Sequence, residues 1–261
     1  MRIQSILLIV IFTISVSICF GQEAGVNNFR QGYELYQQKD YTGAIAEFTE
    51  VIKLNSNNFA AYYWRAVARH RKNDLDGAIN DLTKSIELNP KFAAAYSNRG
   101  IARDKKNDFD AAFADYTKAI ELDPSFGLAY ANRCSIQEKR SEYDLAIADC
   151  TKAVEIDPSD VGAFNNRANA LYKKRDFEAA IADYTKAIGI DSALASPYFN
   201  RGTAKTYKSD FQGAIEDFTK AIELEPNAVS YYIRRAEAYR ELGKIVLAEA
   251  DEKKAIELKK R

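Results

Sequence analysis

The chain has 261 residues, with 37 basic side chains, 37 acidic ones and a single histidine. A zero balance excludes bulk electrostatic attraction to nucleic acid or to an anionic membrane surface. Apolar residues make up 47% of the sequence, enough to bury a core and too many for a disordered chain.

The first 21 residues differ from the rest. Met1-Arg2 is a short basic start, residues 6–20 are apolar except for Thr13, Ser15 and Ser17, and Cys19-Phe20-Gly21 leads into Gln22-Glu23. This layout predicts a secretory signal peptide over 1–21, cut after Gly21 with the small Cys19 at minus three. The run is short for a spanning helix, which needs roughly 20 apolar residues. An uncleaved membrane anchor is the alternative. Lipoprotein processing at Cys19 is disfavoured, because Ile18 stands where that signal needs a small residue. The expected product is an exported, periplasmic chain, 22–261, with one net negative charge and no membrane insertion after cleavage.

From Gly25 onward one pattern returns every 34 residues without insertion or deletion. The segment DYTKAI begins at Asp115 and Asp183, with variants at Asp81, Asp149 and Asp217. Counting Gly25 as position 1 divides the chain into repeats 25–58, 59–92, 93–126, 127–160, 161–194, 195–228 and 229–261. Position 8 is always small: Gly32, Ala66, Gly100, Cys134, Ala168, Gly202 and Ala236. Position 20 is Ala in every repeat, and Pro90, Pro124, Pro158 and Pro226 share position 32. Apolar residues recur at helical spacing over positions 1–14 and again from 17 to 30, with a polar turn at 15–16. The Asn-Pro or Asp-Pro step closes the second helix, since the residue before proline avoids helical geometry. Small residues at 8, 20 and 27 allow close helix approach, and one hairpin cannot bury its stripe alone, so neighbours must stack.

This pattern closely resembles the tetratricopeptide repeat family, over essentially the whole chain after the leader, as in an exported bacterial member. The resemblance implies an all-α, right-handed α-solenoid of seven 34-residue helix-turn-helix repeats. Departures at the ends read as caps: Asn28 replaces the aromatic of position 4, and Glu249 and Glu252 replace apolar residues at 21 and 24.

Two pairings stand out. Position 7 is Arg and position 23 is Asp in repeats two to seven (Arg65/Asp81, Arg99/Asp115, Arg133/Asp149, Arg167/Asp183, Arg201/Asp217, Arg235/Asp251). An Arg–Asp contact between helices, setting register rather than adding net stability, is inferred. Cys134 and Cys150 fall on the two helices of one repeat. An exported chain permits a disulfide. Two unbonded core residues are expected instead, since facing helix axes lie about 8–10 Å apart and a disulfide needs Cα atoms within about 7 Å.

No enzymatic constellation is found. His70 stands alone without a Cys or carboxylate cluster, no glycine-rich loop precedes a helix, and no Ser or Cys has a histidine base. A non-enzymatic chain without cofactor or metal is expected. In the family, first helices line a concave groove through positions 2, 5, 6, 9, 12 and 13. Carried over, this gives an Asn ladder at position 6 (Asn98, Asn132, Asn166 and Asn200), joined by Asn165 and Asn169. Asn offers two donors and an acceptor, suited to an extended peptide backbone; the same residues would serve equally in local pairs. An aromatic cluster (Phe29, Tyr33, Tyr36, Tyr63 and Trp64) adds anchors of the kind interfaces use, or covers the open end of the stack. Phe199 and Tyr207 form a smaller cluster. Position 13 is basic (Arg71, Lys105, Lys139 and Lys173), balanced by Asp74, Asp108, Glu142 and Asp176 as a solvated rim; a carboxylate clamp is the weaker reading. The partner-binding residues are thus Tyr33, Tyr36, Tyr63, Trp64, Asn98, Asn132, Asn165, Asn166, Asn169 and Asn200. The expected function is a scaffold gripping a protein or peptide segment in the groove, with no nucleic-acid partner. The alternative is an assembly subunit of a cell-envelope complex that docks by its edge or convex face.

Overall fold

The computed structural model describes residues 21–260. The expected signal peptide, apart from Gly21, lies outside the described residues. No helix among the described residues is long and apolar enough to cross a membrane. These residues form fourteen helices and no strand. The helices are α1 (Gly21–Gln37), α2 (Tyr41–Leu54), α3 (Phe59–Arg71), α4 (Leu75–Leu88), α5 (Ala93–Lys105), α6 (Phe109–Leu122) and α7 (Gly127–Lys139). They continue as α8 (Tyr143–Ile156), α9 (Val161–Lys173), α10 (Phe177–Ile190), α11 (Ala195–Tyr207), α12 (Phe211–Leu224), α13 (Val229–Glu241) and α14 (Ile245–Lys259).

The chain divides into two compact units, residues 1–115 and 116–261, the division falling inside α6. In the first unit α1 packs on α2, α2 on α3, α3 on α4 and α4 on α5. In the second the same succession runs from α7 to α14. Each unit is thus a stack of helix hairpins, all-α as the repeat implies.

Local chemistry sets the helix ends. Asp40, Asp74, Asp176 and Asp210 cap second helices by accepting from the N–H groups of Gly43, Gly77, Ala179 and Gly213. Asn58 and Asp160 do the same for α3 and α9. Such caps satisfy donors that the helix cannot. The turn within each hairpin passes through one left-handed residue at position 15. Lys39, Asn73, Asn107, Ser141, Arg175 and Ser209 hold φ between 60° and 66°, and Gly243 holds 69°.

The small residue at position 8 exists for the large one at position 24. A Cβ added at Gly202 would lie 2.8 Å from Cε1 of Phe218, and one at Gly32 would lie 3.0 Å from Cε1 of Phe48. In repeat four both positions are cysteine, and here the structure corrects the expectation: Cys134 and Cys150 are joined by a disulfide, their Cα atoms 5.5 Å apart. Facing Cα atoms lie inside their helix axes by a radius of about 2.3 Å each, so an axis separation of about 9 Å leaves disulfide distance between them.

The inferred Arg–Asp contact is present in all six repeats that carry it. Arg167 donates from Nε and Nη2 to both carboxylate oxygens of Asp183, at 2.6 and 2.7 Å. The same fork joins Arg65, Arg99, Arg133, Arg201 and Arg235 to their aspartates. The third nitrogen, Nη1, reaches back to a threonine at position 25 of the preceding repeat: Thr49, Thr83, Thr117, Thr151, Thr185 or Thr219. The contact therefore joins neighbouring repeats as well as the two helices of one. Arg69, Arg103 and Lys205, at position 11, bring a second cation to Asp81, Asp115 and Asp217. Leu171 stands there in repeat five, so among the described residues Arg167 is the one cation on Asp183. A second, exposed ladder links Lys72 to Thr42, Lys106 to Asp76, Lys174 to Asp144, Lys208 to Glu178 and Lys244 to Gln212.

Two outcomes follow from these contacts. Arg167→Ala leaves the buried Asp183 without a partner and is expected to cost about 3 kcal/mol. Thr151→Val removes one hydrogen bond and should cost about 1 kcal/mol. Denaturant unfolding of both variants checks the ratio; equal, small losses contradict the assigned role. Reduction of the disulfide should cost about 3 kcal/mol for a loop of this length. The drop in melting temperature on adding reductant should vanish in the Cys134→Ala/Cys150→Ala variant.

Candidate functional site

In the first unit, Tyr33 and Tyr36 on α1 and Tyr63 on α3 surround Trp64. Their ring centroids lie 4.9, 5.6 and 5.5 Å from the Trp64 ring, all edge-on. The four expected aromatics are therefore brought together, and each is half-buried. Phe29 packs against the same buried cluster as Tyr33, Tyr36 and Trp64, its ring edge-on to Phe48 at 5.4 Å. The Tyr36 hydroxyl accepts from Arg71 Nε at 3.3 Å. The Tyr63 hydroxyl accepts from Asn98 Nδ2 at 3.1 Å, and the same nitrogen donates to the Ala94 carbonyl at 2.9 Å. Asn98 is thus used locally. Burial, with Tyr36 nearby, pushes the Tyr63 hydroxyl up to about 12. His70, on α3, is held below its ordinary value by burial, then by Lys105 and Arg71, and its Nε2 is buried without a hydrogen bond.

In the second unit a cavity of about 250 Å³ opens between first helices. Asn169, Tyr172 and Lys173 line it from α9, and Phe199, Asn200 and Thr203 from α11. Glu138, Tyr184 and Arg234 complete it. Asn169 Oδ1 accepts from the Tyr184 hydroxyl at 2.7 Å and from Asn200 Nδ2 at 3.2 Å. The Tyr184 hydroxyl is raised well above the usual tyrosine range, by burial first and then by Tyr172, Glu138 and Asp183. Arg234 donates to Glu237 at 2.8 Å. Asn132 Nδ2 and Asn165 Oδ1 are buried and make no hydrogen bond. Asn166 is half-buried. Asn169 and Asn200 therefore share one site, while Asn132, Asn165 and Asn166 are not among the residues lining it.

One expectation about neighbouring groups is corrected. Phe199 and Tyr207 do not cluster. Phe199 packs against Tyr231 at 4.7 Å, whereas Tyr207 stacks on Phe177 at 4.9 Å and 13°. They stand eight residues apart on α11, about 12 Å along its axis, so each ring meets a different neighbour. Three of the acids beyond position 13 also serve as helix caps: Asp74, Asp108 and Asp176 accept from the N–H groups of Gly77, Ala111 and Ala179.

Glu138, Tyr172, Tyr184, Thr203 and Arg234 are cavity residues that the sequence did not single out. Arg234 had a signal, since it occupies position 6, where repeats three to six carry Asn. Tyr184 had none, because position 24 reads as core and only its hydroxyl reaches the cavity. Chemically the site offers amide, guanidinium and ammonium donors beside one carboxylate, arranged to hold carbonyl or carboxylate oxygens and an N–H group. Among the described residues no group of three His, Cys, Asp or Glu side chains could hold a metal ion.

Stacked helix hairpins with polar and aromatic groups on their first helices define a helical-repeat scaffold. The chain belongs to the tetratricopeptide repeat family. Tetratricopeptide repeats match residues 93–126, 127–160 and 161–193, and again 199–260; a TPR repeat description matches 32–73 and 68–106. Members of this family serve generally as non-catalytic protein-interaction modules. No curated protein matches the chain. Among solved structures, the Pseudomonas aeruginosa pilF protein superposes with a TM-score of 0.75 at 16% identity, covering 83% of this chain and 99% of that one. YrrB, a TPR protein with an unusual peptide-binding site, gives 0.60 at 23% identity, covering 70% and 95%. MamA gives 0.59 at 25% identity, covering 62% and 94%.

The lowered His70 has a consequence for stability. Its neutral form is favoured in the folded chain, so below the ordinary value near 6.5 the unfolded chain binds more protons. Stability is therefore expected to fall as pH drops through 6.5, and His70→Gln should remove that part of the loss. Melting curves across this window check it; identical pH profiles contradict it.

Proposed function

We propose that the protein is an exported scaffold that holds an extended peptide or protein segment along its first helices. The observation that carries this reading is the second unit's cavity, where Asn169, Asn200, Lys173 and Arg234 converge beside Glu138. Among the described residues Lys173 carries no ion pair, and the cavity sets a few convergent polar groups among the apolar walls of Tyr172, Tyr184 and Phe199, which suits recognition of a ligand. Donors on one side and a carboxylate on the other match the alternating carbonyl and N–H groups of an extended backbone. In the first unit the half-buried Trp64, with three tyrosines about it, supplies an aromatic anchor. A peptide-binding site in YrrB is in keeping with this use of the fold. Export, with residues 1–21 as a cleaved leader, is supported by the Cys134–Cys150 disulfide, since such bonds persist in oxidising compartments such as the periplasm.

Affinity capture of the protein from its native envelope tests this reading. The captured chain is expected to begin at Gln22 by intact mass. The Asn169→Ala/Asn200→Ala/Arg234→Ala variant, and separately Trp64→Ala, should retain helical content and bind the captured partner about tenfold more weakly. Undiminished binding by both variants overturns the groove and favours docking by an edge.

A further inference from the structure

The last helix carries side chains that neither a continuing stack nor a solvated cap explains. At position 18, repeats two to six have Asp76, Asp110, Asp144, Glu178 and Gln212, and four of these accept from a lysine of the following repeat in the described contacts. In the last repeat this position is Val246, 79% exposed. Position 25, where threonine receives the next arginine in six repeats, is Lys253, and position 21, Ile or Phe elsewhere, is Glu249. Position 28 keeps its apolar character as Ile256, yet 55% of that residue is exposed, and Ile245 is 45% exposed. Leu242, just before α14, is exposed as well. Among the described residues Glu249 and Lys253 make no ion pair, whereas the neighbouring Glu252 is held by Arg240 through Nε and Nη2.

Residues 245, 249, 253 and 256 follow three- and four-residue steps, with Val246 one step of three before Glu249, so they form one stripe along α14. A solvated cap accounts for Glu249 and Lys253 but not for a valine placed beside them in water. We propose that this stripe pairs α14 with α14 of a second copy, antiparallel, about a two-fold axis at the level of residue 251. Counted outward from that level, Val246 of one copy stands opposite Ile256 of the other, and Glu249 opposite Lys253. Each pairing occurs twice, as a two-fold interface requires. Apolar therefore meets apolar and acid meets base in a single register. Charge complementarity of the stripe with itself selects a second copy over an unrelated helix. Two helices of this length, about 22 Å, bury less than about 1,200 Å² together, which places the dimer among reversible associations.

Sedimentation velocity of the full chain over a range of concentrations tests the proposal. A monomer–dimer equilibrium is expected for the native sequence. Val246→Asp should weaken the dimer about tenfold or more without altering the helical spectrum, because Val246 makes little contact within its own chain. Glu249→Lys and Lys253→Glu should each weaken it by bringing like charges together. The double variant Glu249→Lys/Lys253→Glu, which restores complementarity with the signs exchanged, should recover dimerisation. A monomer at every concentration overturns the proposal. So does a dimer indifferent to Val246→Asp, or a double variant no better than its parents.

Discussion

Six buried aspartates, one in each of repeats two to seven, accept two hydrogen bonds from an arginine on the facing helix, and that arginine spends its remaining nitrogen on a threonine of the repeat before. An ionised carboxylate away from water is tolerated only when its oxygens are satisfied. The fork geometry of guanidinium meets this need and admits one relative placement of the helices. Sliding a hairpin by a turn, or a repeat by a turn against its neighbour, would strand the carboxylate. The interaction therefore acts on register more than on net stability, since the apolar residues at positions 8, 20, 24 and 27 already supply the burial. With positions 7, 23 and 25 committed to this contact, positions 5, 6, 9, 12 and 13 of the first helices are available for something else. In the second unit the cavity is built from those positions, with the Tyr184 hydroxyl reaching it from position 24.

The repeat and its consequences were legible because they rest on local periodicity. The 34-residue spacing, the small residue at position 8, the polar turn and the Asn-Pro or Asp-Pro closure each report a backbone or packing requirement within one hairpin. The Arg–Asp contact was legible because the two residues change together from repeat one to repeat two. Its threonine was not, since Thr49 and its counterparts are compatible with an exposed helix face and show their purpose only once the neighbouring repeat is in place.

Side-chain destinations on the first helices were less readable, for a physical reason. An asparagine at position 6 meets different surroundings in each repeat. Asn98 finds Tyr63 and its own helix, Asn200 finds Asn169, and Asn132 finds no partner for its nitrogen. An amide can satisfy any of these environments, so residue type alone does not decide among them. Arg234 and Tyr184 illustrate the same point from the other side, one standing at a ladder position in a different chemistry, the other reaching the cavity from the core by its hydroxyl. The disulfide shows how a general spacing rule misleads when applied to axes rather than atoms. Where the position 8 and 24 residues meet, the Cα atoms approach closely enough for two cysteines to replace the glycine–aromatic contact.

A scaffold of this kind has its function in what its first helices face. Hydrogen–deuterium exchange of the protein with and without its captured partner addresses this directly. Binding in the groove predicts added protection in α9 and α11, around Asn169–Lys173 and Asn200–Thr203, with little change in α8, α10 and α12. Protection confined to those second helices, with α9 and α11 unchanged, would contradict it.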